Sequence, residues 1–370
     1  MKRLILASTG FVLTVTLGML VILAIKQNEV TSFFEPEFTN ASELRRNENG
    51  EYRVYPAINL DNSLRIQGQT QKQKGELVMR VTGDVAPVRV ADIQLRKKGM
   101  GYAFGGDGIS EILNGADLTL VNLETPLVQN CPATNIGMIF CGLPDFAFEM
   151  KKAGIDLVGL ANNHSGNYGL NGLEETKEVL KQAGLEYIDE LKPMYTYMGE
   201  VKIGFLALNA IGKVLNREDV ESVLAQMRES AEIIVVTVHW GKEYVLVPAA
   251  APGIAPEDPV MLGRWLVDQG VDLVVGHHPH VVQGVEIYKE GFIAYSHGNF
   301  IFDQEWSKET KQGVIGNYVF FNKKLVDVYF LPISIEDWVR PRVAGDLEAR
   351  EILDRMRKSS VSIARRERLQ

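Results

Sequence analysis

From residue 77 onward the chain repeats one local pattern: a short apolar run ends in a loop of polar residues, and a helical pattern often follows. Strand-length runs that alternate with helices predict an α/β architecture whose sheets are largely buried on both faces. In such sheets ligands gather at the carboxyl ends of the strands. The loops at these predicted ends contain Gly83-Asp84, Asn122-Leu123-Glu124, Asn162-Asn163-His164, His239-Trp240-Gly241, His277-His278-Pro279-His280 and Ser296-His297-Gly298-Asn299.

All six histidines of the chain lie at these junctions. A single buried histidine is more often a satisfied core residue than a ligand, but six of six at predicted strand ends are difficult to explain that way. Imidazole is the commonest neutral ligand for borderline transition metals, and carboxylates complete such sites. The sequence therefore predicts a divalent-metal site built from these loops. The histidines are His164, His239, His277, His278, His280 and His297.

Carboxylate and amide side chains complete the candidate ligand set. Asp84 directly follows its strand, Glu124 is placed to bridge two cations, and Asn163 offers a carbonyl oxygen without added negative charge. His278 and His280 are two residues apart on a proline-stiffened loop, so both rings can enter one cavity. Taken alone, Asp84 could cap a turn and Glu124 could pair with an arginine, and the prediction therefore rests on the whole set.

The N-terminal segment is predicted to anchor the chain in a membrane. Lys2 and Arg3 precede an uncharged run from Leu4 to Ile25, whose length as a helix, roughly 33 Å, matches a bilayer core. A cleaved signal peptide is the alternative, although the run lacks a small-residue cleavage site. We interpret residues 1–26 as an uncleaved, single-pass transmembrane signal-anchor, whose basic N-terminus places the body of the protein on the extracytoplasmic side of the cell membrane.

The rest of the chain divides by composition. Residues 27–75 are polar and are predicted to form a linker, 76–335 the α/β domain, and 336–370 a C-terminal helical tail. The net charge of -8 and the pI near 5.4 argue against a nucleic-acid partner. Cys131 and Cys141 either close a disulfide loop, as an exported chain allows, or remain two buried thiols.

The same strings, extended by Tyr168-Gly169 and Lys242-Glu243-Tyr244, resemble the CapA family of capsule-synthesis and poly-γ-glutamate-biosynthesis proteins, from about Leu77 to Leu331. The resemblance implies the calcineurin-like metallophosphoesterase fold, a four-layer α/β/β/α sandwich of two sheets flanked by helices. It also implies a role in the synthesis or export of a membrane-linked anionic polymer, alongside polymer-synthase subunits.

The resemblance also implies roles for individual residues, with two divalent ions of Mn, Zn or Fe assisting the hydrolysis of a phosphoester. The ligands of the first ion are Asp84, Glu124 and His280. The ligands of the second ion are Glu124, Asn163, His239 and His278. His164 becomes the acid that protonates the leaving group. The residues assigned to the substrate pocket are Asn122, Trp240, His297 and Asn299. Tyr244 is also expected to line the pocket, although the aromatic residues Trp240 and Tyr244 could equally pack in the core.

The chain departs from the family pattern at two positions. The phosphoesterase pattern has Asp-x-His at the first motif, whereas Asp84 is followed by Val and Ala, which leaves a missing ligand that His297 is a candidate to replace. Many family members carry Asp where this chain has Asn167, three residues after His164, and an amide there weakens the general-acid assignment.

Three functions remain in competition after these observations. The first is an extracytoplasmic, metal-dependent phosphoesterase. The second is a non-catalytic accessory subunit that binds an anionic polymer in a synthase complex. The third is a structural module that binds no metal.

Overall fold

The structure is a computed structural model that describes residues 43–46, 52–55, 58–64, 72 and 74–367. The predicted signal-anchor at residues 1–26 lies outside the described residues. Within the described ranges, no helix is long and apolar enough to cross a membrane.

Strands and helices alternate through most of the described chain. The strands are β1 (Glu43–Arg46), β2 (Tyr52–Tyr55), β3 (Leu77–Val85), β4 (Leu118–Leu123), β5 (Leu157–Gly159), β6 (Glu186–Ile188), β7 (Met194–Met198), β8 (Val201–Asn209), β9 (Ile233–His239), β10 (Leu273–His277), β11 (Val285–Tyr288), β12 (Gly291–Ala294), β13 (Asn299–Ile301), β14 (Gln312–Phe321), β15 (Lys324–Glu336) and β16 (Arg340–Val343). The helices are α1 (Leu60–Ser63), α2 (Val90–Lys98), α3 (Ile109–Asn114), α4 (Asp145–Lys152), α5 (Gly169–Gln182), α6 (Arg217–Ser230), α7 (Pro259–Asp268) and α8 (Asp346–Glu367), with a 3₁₀ helix at Met100–Phe104.

The strands form two large mixed sheets and one small hairpin. The six-stranded sheet has the order β11-β12-β10-β9-β8-β7, in which β8, β9, β10 and β12 run parallel. The eight-stranded sheet has the order β16-β15-β14-β3-β4-β5-β6, with β13 paired to β3. Strands β3 to β6 are parallel, and β14 to β16 are antiparallel. Strands β1 and β2 pair with each other.

Alternating side chains place one core between the two large sheets. Met79 of β3 and Leu120 of β4 share a buried cluster with Phe205 of β8 and Val235 of β9. Because successive strand residues point to opposite faces, their neighbours form two further clusters against the helices. The predicted α/β architecture, with two sheets flanked by helices, is confirmed.

The segments on either side of the predicted domain contain regular structure. Residues 27–75, predicted as a linker, include β1, β2 and the short α1, whose following residue Leu64 packs into the core between the sheets. At the other end β16 pairs with β15, and the sheet therefore continues past residue 335. Helix α8 follows and inserts Ile352 and Met356 into the same core.

Cys131 and Cys141 form a disulfide, which confirms the first of the two alternatives for this pair. The bridge closes a loop between β4 and α4. Near the end of that loop lies Phe140, whose side chain is buried.

Candidate metal centre

The predicted ligands lie where the carboxyl ends of parallel strands from both sheets come together. Asp84 stands near the end of β3, and Glu124 follows the last residue of β4. His239 and His277 end β9 and β10, and they are paired in the strand register. Ligand positions that are distant in sequence therefore meet at one edge of the sandwich, as expected for the carboxyl ends of parallel strands.

Glu124 occupies the middle of this cluster. Its Oε1 lies 3.4 Å from His239 Nε2, 3.8 Å from His280 Nε2 and 4.0 Å from His164 Nε2. The carboxylate is fully buried, and neither oxygen has a hydrogen-bond partner among the described residues. Burial raises the pKa of Glu124 to about 8. A buried carboxylate without partners is costly, and a bound cation would remove that cost, so the residue fits a metal ligand.

Two groups of donor atoms are close enough to hold a cation, each with its ligand atoms within 4.8 Å of one another. The first group is Glu124, His278 and His280. The second group is Asp84, Glu124 and His239. Glu124 belongs to both groups, which is the position expected of a residue that bridges two ions. This grouping of His, Asp and Glu donors differs from the partition that the family resemblance implies, although all five of its residues belong to the six predicted ligands.

Asn163 joins the same cluster through His239. Its Oδ1 lies 2.8 Å from His239 Nε2, and that nitrogen lies 3.1 Å from His278 Nδ1. Burial holds the pKa of His239 and of His278 well below the ordinary value. Both rings are therefore neutral, which is the form that binds metals. The six predicted ligands thus lie in one cluster.

Asp84 is held from three sides. His277 Nδ1 lies 3.1 Å and His280 Nδ1 3.2 Å from the carboxylate, and Asn122 Nδ2 donates to Oδ1 at 2.8 Å. Burial alone would raise the pKa of Asp84, but hydrogen bonds to His277 and His280 outweigh it and hold the pKa well below the ordinary value. Asp84 is therefore a carboxylate fixed in orientation.

His280 is oriented by the amide of Asn299. The Asn299 Nδ2 group donates to Gln304 and to the Thr310 carbonyl, so its Oδ1 faces His280 Nδ1 at 3.1 Å. This arrangement directs Nε2 of His280 toward Glu124. Burial alone would lower the pKa of His280, but the charges of Glu124 and Asp84 raise it to about 9. A second residue that orients a ligating imidazole in this way is usual at metal sites.

The backbone around the histidine loop adopts unusual conformations. His278 and His280 have φ angles of 94° and 58°, and Tyr244 has 60°. Positive φ is uncommon for residues other than glycine, and it clusters at functional sites where the surrounding structure fixes it. At Gly276 a Cβ atom would lie 2.0 Å from the Tyr295 carbonyl oxygen, so only glycine permits this approach before the loop.

His164 stands beside the ligand cluster with its ring fixed. It stacks on Phe140 with ring centroids 3.9 Å apart. Its Nδ1 lies 2.9 Å from Asn167 Oδ1, and the same oxygen accepts the backbone N–H of Phe140 at 2.7 Å. Because an oxygen faces Nδ1, that nitrogen carries the proton, and Nε2 is directed toward Glu124.

Four of the residues assigned to the substrate pocket are buried, and Asn122 and Asn299 stand behind the ligands. Asn122 contacts Asp84, and Asn299 contacts His280. Trp240 lies in the core, where its indole N–H donates to the Tyr295 carbonyl. The four buried residues are Asn122, Trp240, His297 and Asn299.

His297 also lies in the interior. Its Nε2 is 2.9 Å from the hydroxyl of Tyr318, and its ring packs against Phe330. Burial lowers the pKa of His297 to about 3, so the ring is neutral. Within the described residues it belongs to neither group of donor atoms.

No individual role was predicted for His277 or Glu243, two residues near the ligands, whereas Tyr244 was predicted to line the pocket. His277 contacts Asp84, as described above. Glu243 Oε1 lies 3.9 Å from Nε2 of both His278 and His280. The Tyr244 ring lies 5.9 Å from that of His280. The available signal was their position, directly at or shortly after a predicted strand end.

Comparisons with known proteins give sequence relatives across most of the chain. The chain is 27% identical over 317 residues to capsule biosynthesis protein CapA of Bacillus anthracis, covering 78% of this chain and 75% of that protein. It is 27% identical over 302 residues to PGA biosynthesis protein CapA of Bacillus subtilis, covering 75% and 77%. A Mycobacterium tuberculosis protein named probable polyglutamine synthesis accessory protein is 25% identical over 233 residues, covering 54% and 60%.

Among solved structures, that of a phosphatase from Mycoplasma pneumoniae aligns with a TM-score of 0.42 at 14% identity, over 70% of this chain and 94% of that one. Residues 78–304, more than half of the chain, match the family described as bacterial capsule synthesis protein PGA_cap. The chain belongs to the bacterial capsule synthesis protein PGA_cap family.

Proposed function

We propose that this protein is a membrane-anchored, extracytoplasmic metallophosphoesterase that hydrolyses phosphoesters during the synthesis or export of capsule or poly-γ-glutamate. The observation that carries the proposal is Glu124, a fully buried carboxylate without hydrogen-bond partners in the described chain and close to three imidazoles. A bound cation would stabilise the charged form of such a group. The centre would hold two divalent ions of Mn, Zn or Fe, which suit imidazole, amide and carboxylate ligands.

The residues that would hold these ions are Asp84, Glu124, Asn163, His239, His278 and His280. Divalent cations bound there would supply Lewis-acid polarisation of a phosphoryl oxygen and activation of water. Asp84 contributes a fixed negative charge, because His277 and His280 hold its carboxylate in place. His239 and His278 contribute neutral nitrogens.

His164 supplies the proton in this proposal. Its Nδ1–H is bound by Asn167, so the proton for the leaving oxygen is held on Nε2, the nitrogen that faces Glu124. Stacking on Phe140 fixes the plane of the ring. A positioned imidazole that donates a proton contributes about 100-fold or more to the rate.

The biological setting of the proposal has two supports. The relatives named above are called capsule, PGA or polyglutamine synthesis proteins, and one of them an accessory protein, so we propose polymer-synthase subunits and an anionic polymer as partners. The uncharged run from Leu4 to Ile25 supports an uncleaved anchor, and the Cys131–Cys141 disulfide suits an oxidising, extracytoplasmic compartment.

The experiment is an assay of the purified full-length chain with generic phosphomonoesters and phosphodiesters in the presence of Mn²⁺. The proposal expects phosphate release or diester cleavage that disappears in His164→Ala and in Asp84→Ala. Equal turnover in the wild type and both variants, or no turnover in the wild type, would contradict the proposed hydrolysis.

A non-catalytic accessory subunit is the second candidate, favoured by the residues around two site positions. An amide, Asn167, orients His164, and Val and Ala follow Asp84 where the phosphoesterase pattern continues with a histidine ligand. Both differences weaken the support for catalysis more than the support for the fold. Metal-dependent binding of poly-γ-glutamate without turnover of any phosphoester would favour this candidate.

A further inference from the structure

Two loops beside the metal centre contain no charged residue, although 23% of the chain is charged. The first, here named the disulfide loop, comprises residues 131–141 and is closed by the disulfide. The second, here named the apolar loop, comprises residues 244–256 and directly follows Glu243. Surface loops normally carry polar side chains. The absence of charged residues from two loops at one site therefore indicates that their apolar surface has a role.

Both loops expose large apolar side chains. In the disulfide loop Ile136, Met138 and Ile139 are 74%, 62% and 70% exposed. In the apolar loop Leu246 and Ile254 are exposed, and Tyr244 is also exposed. Single exposed apolar residues are ordinary, but a group of them around one site marks a surface that binds something apolar.

Direct contacts tie both loops to the metal centre. Phe140, the residue after Ile139, stacks on His164. At the start of the apolar loop the backbone N–H of Tyr244 donates to the Pro279 carbonyl at 2.9 Å, between the ligands His278 and His280. Phe140 of the disulfide loop and Tyr244 of the apolar loop therefore stand at the edge of the same centre.

The tip of the disulfide loop is held in place from the body of the protein. Arg89 donates to the Gly137 carbonyl and forms an ion pair with Asp303. The same guanidinium lies over the rings of Phe140 and Phe302. A loop fixed in this way presents its apolar tip without the entropic cost of ordering it on binding.

The exposed ring of Trp306 extends the apolar surface beside Tyr244 of the apolar loop. It packs against Tyr244 with ring centroids 5.8 Å apart, and Tyr244 in turn lies 5.9 Å from His280. The whole chain carries a net charge of -8, which disfavours a long polyanion on the surface outside the centre itself. Apolar rims and an anion-binding centre together suit a molecule with an anionic head and an apolar tail.

We propose that the centre takes phosphate esters of long apolar chains, with the phosphate at the metal centre and the chain on the disulfide loop and the apolar loop. This inference rests on the proposed function, because it names the substrate class of the same site. The ester oxygen–phosphorus bond is broken by water, giving inorganic phosphate and the free alcohol, and His164 delivers the proton to the leaving oxygen.

The test compares butyl, octyl and dodecyl phosphate with the Mn²⁺-loaded full-length chain, at concentrations where each ester is monomeric. Binding is measured by calorimetry and turnover by release of inorganic phosphate. The variant is Ile136→Ser/Ile139→Ser, which changes exposed side chains and leaves Met138 beside Arg89. The matched control is Tyr197→Ser/Leu347→Ser, at 64% and 81% exposure on other elements.

The wild type and the control are expected to bind dodecyl phosphate about tenfold or more tightly than butyl phosphate, and the variant is expected to lose most of that preference. Equal affinity along the series, or a preference that the variant retains, overturns the inference. Binding that strengthens with chain length but gives no phosphate release supports the inference and contradicts the proposed hydrolysis. Equal phosphate release from all three esters with equal affinity supports hydrolysis and overturns the inference.

Discussion

The Nδ1 atom of His164 lies 2.9 Å from Oδ1 of Asn167, and the same oxygen accepts the backbone N–H of Phe140. The imidazole is thereby fixed with a proton on Nδ1 and with Nε2, the nitrogen that carries the second proton in the proposed hydrolysis, toward Glu124. An amide oxygen sets this orientation as a carboxylate would, but it lacks the negative charge that stabilises a protonated ring.

Replacing Asn167 by Asp is therefore expected to favour the protonated form of His164. In the proposed hydrolysis, Asn167→Asp raises turnover at pH 8 by about tenfold and extends activity to higher pH, because a charged second residue strengthens general-acid catalysis. The measurement is the pH profile of phosphate release. Asn167→Ala serves as the control and is expected to lower turnover, and identical profiles in all three proteins would exclude this role for the pair.

Asn299→Ala is predicted to weaken metal binding although Asn299 is assigned to neither ion. The substitution removes the oxygen that orients His280, and loss of such a contact lowers metal affinity by about 10–100-fold. Competition with a chromogenic chelator measures the affinity. Asn317→Ala provides the control, since Asn317 is a buried asparagine that contacts Arg80 in the sheet. Equal metal affinity in the two variants would contradict a role for Asn299 in metal binding.

Metal affinity is predicted to rise with pH between about 6 and 9. In the metal-free protein the pKa of His280 is raised to about 9 and that of Glu124 to about 8, so the pair holds at least one proton at neutral pH. A ligand must release its proton to bind a cation, and each displaced proton changes the affinity by about tenfold per pH unit.

Calorimetry in buffers with different enthalpies of ionisation counts the protons released on metal binding. We expect at least one proton released per chain at pH 7 and stronger binding at pH 8 than at pH 6. Affinity that stays constant across this range, with no proton release, contradicts the assigned protonation of His280 and Glu124.

Removal of the disulfide is predicted to destabilise the fold and disturb the site together. For a loop of this length the chain-entropy contribution to the free energy of unfolding is about 2–3 kcal/mol. The double variant Cys131→Ser/Cys141→Ser is expected to unfold at lower urea concentration than the wild type. Reductant should shift the wild type and leave the double variant unchanged, and a wild type insensitive to reductant would contradict the prediction.

The strands and the ligand cluster were predictable because both follow from local sequence. The apolar runs that end at Asp84, Glu124 and His239 formed buried strands at the predicted places. Parallel strands bring their carboxyl ends to one edge, so polar residues at those ends meet without any further information. For the same reason the predicted α/β class is confirmed.

The direction of individual side chains could not be predicted in this way. A polar or aromatic residue at a strand end can face the site or the core, and Trp240 and His297 face the core. Asn122 and Asn299 stand behind ligands, where they fix Asp84 and His280. Whether a given side chain faces the site, faces the core or supports a ligand depends on the packing of residues far apart in sequence.

Metal content is the measurement that tests the central claim most directly. The purified full-length chain, grown with Mn, Zn and Fe available, is analysed for bound metal beside the Glu124→Ala variant. We predict about two ions per wild-type chain and fewer than about one in the variant, because Glu124 belongs to both groups of donor atoms. Fewer than about one ion per wild-type chain, or equal content in the two proteins, would contradict the account.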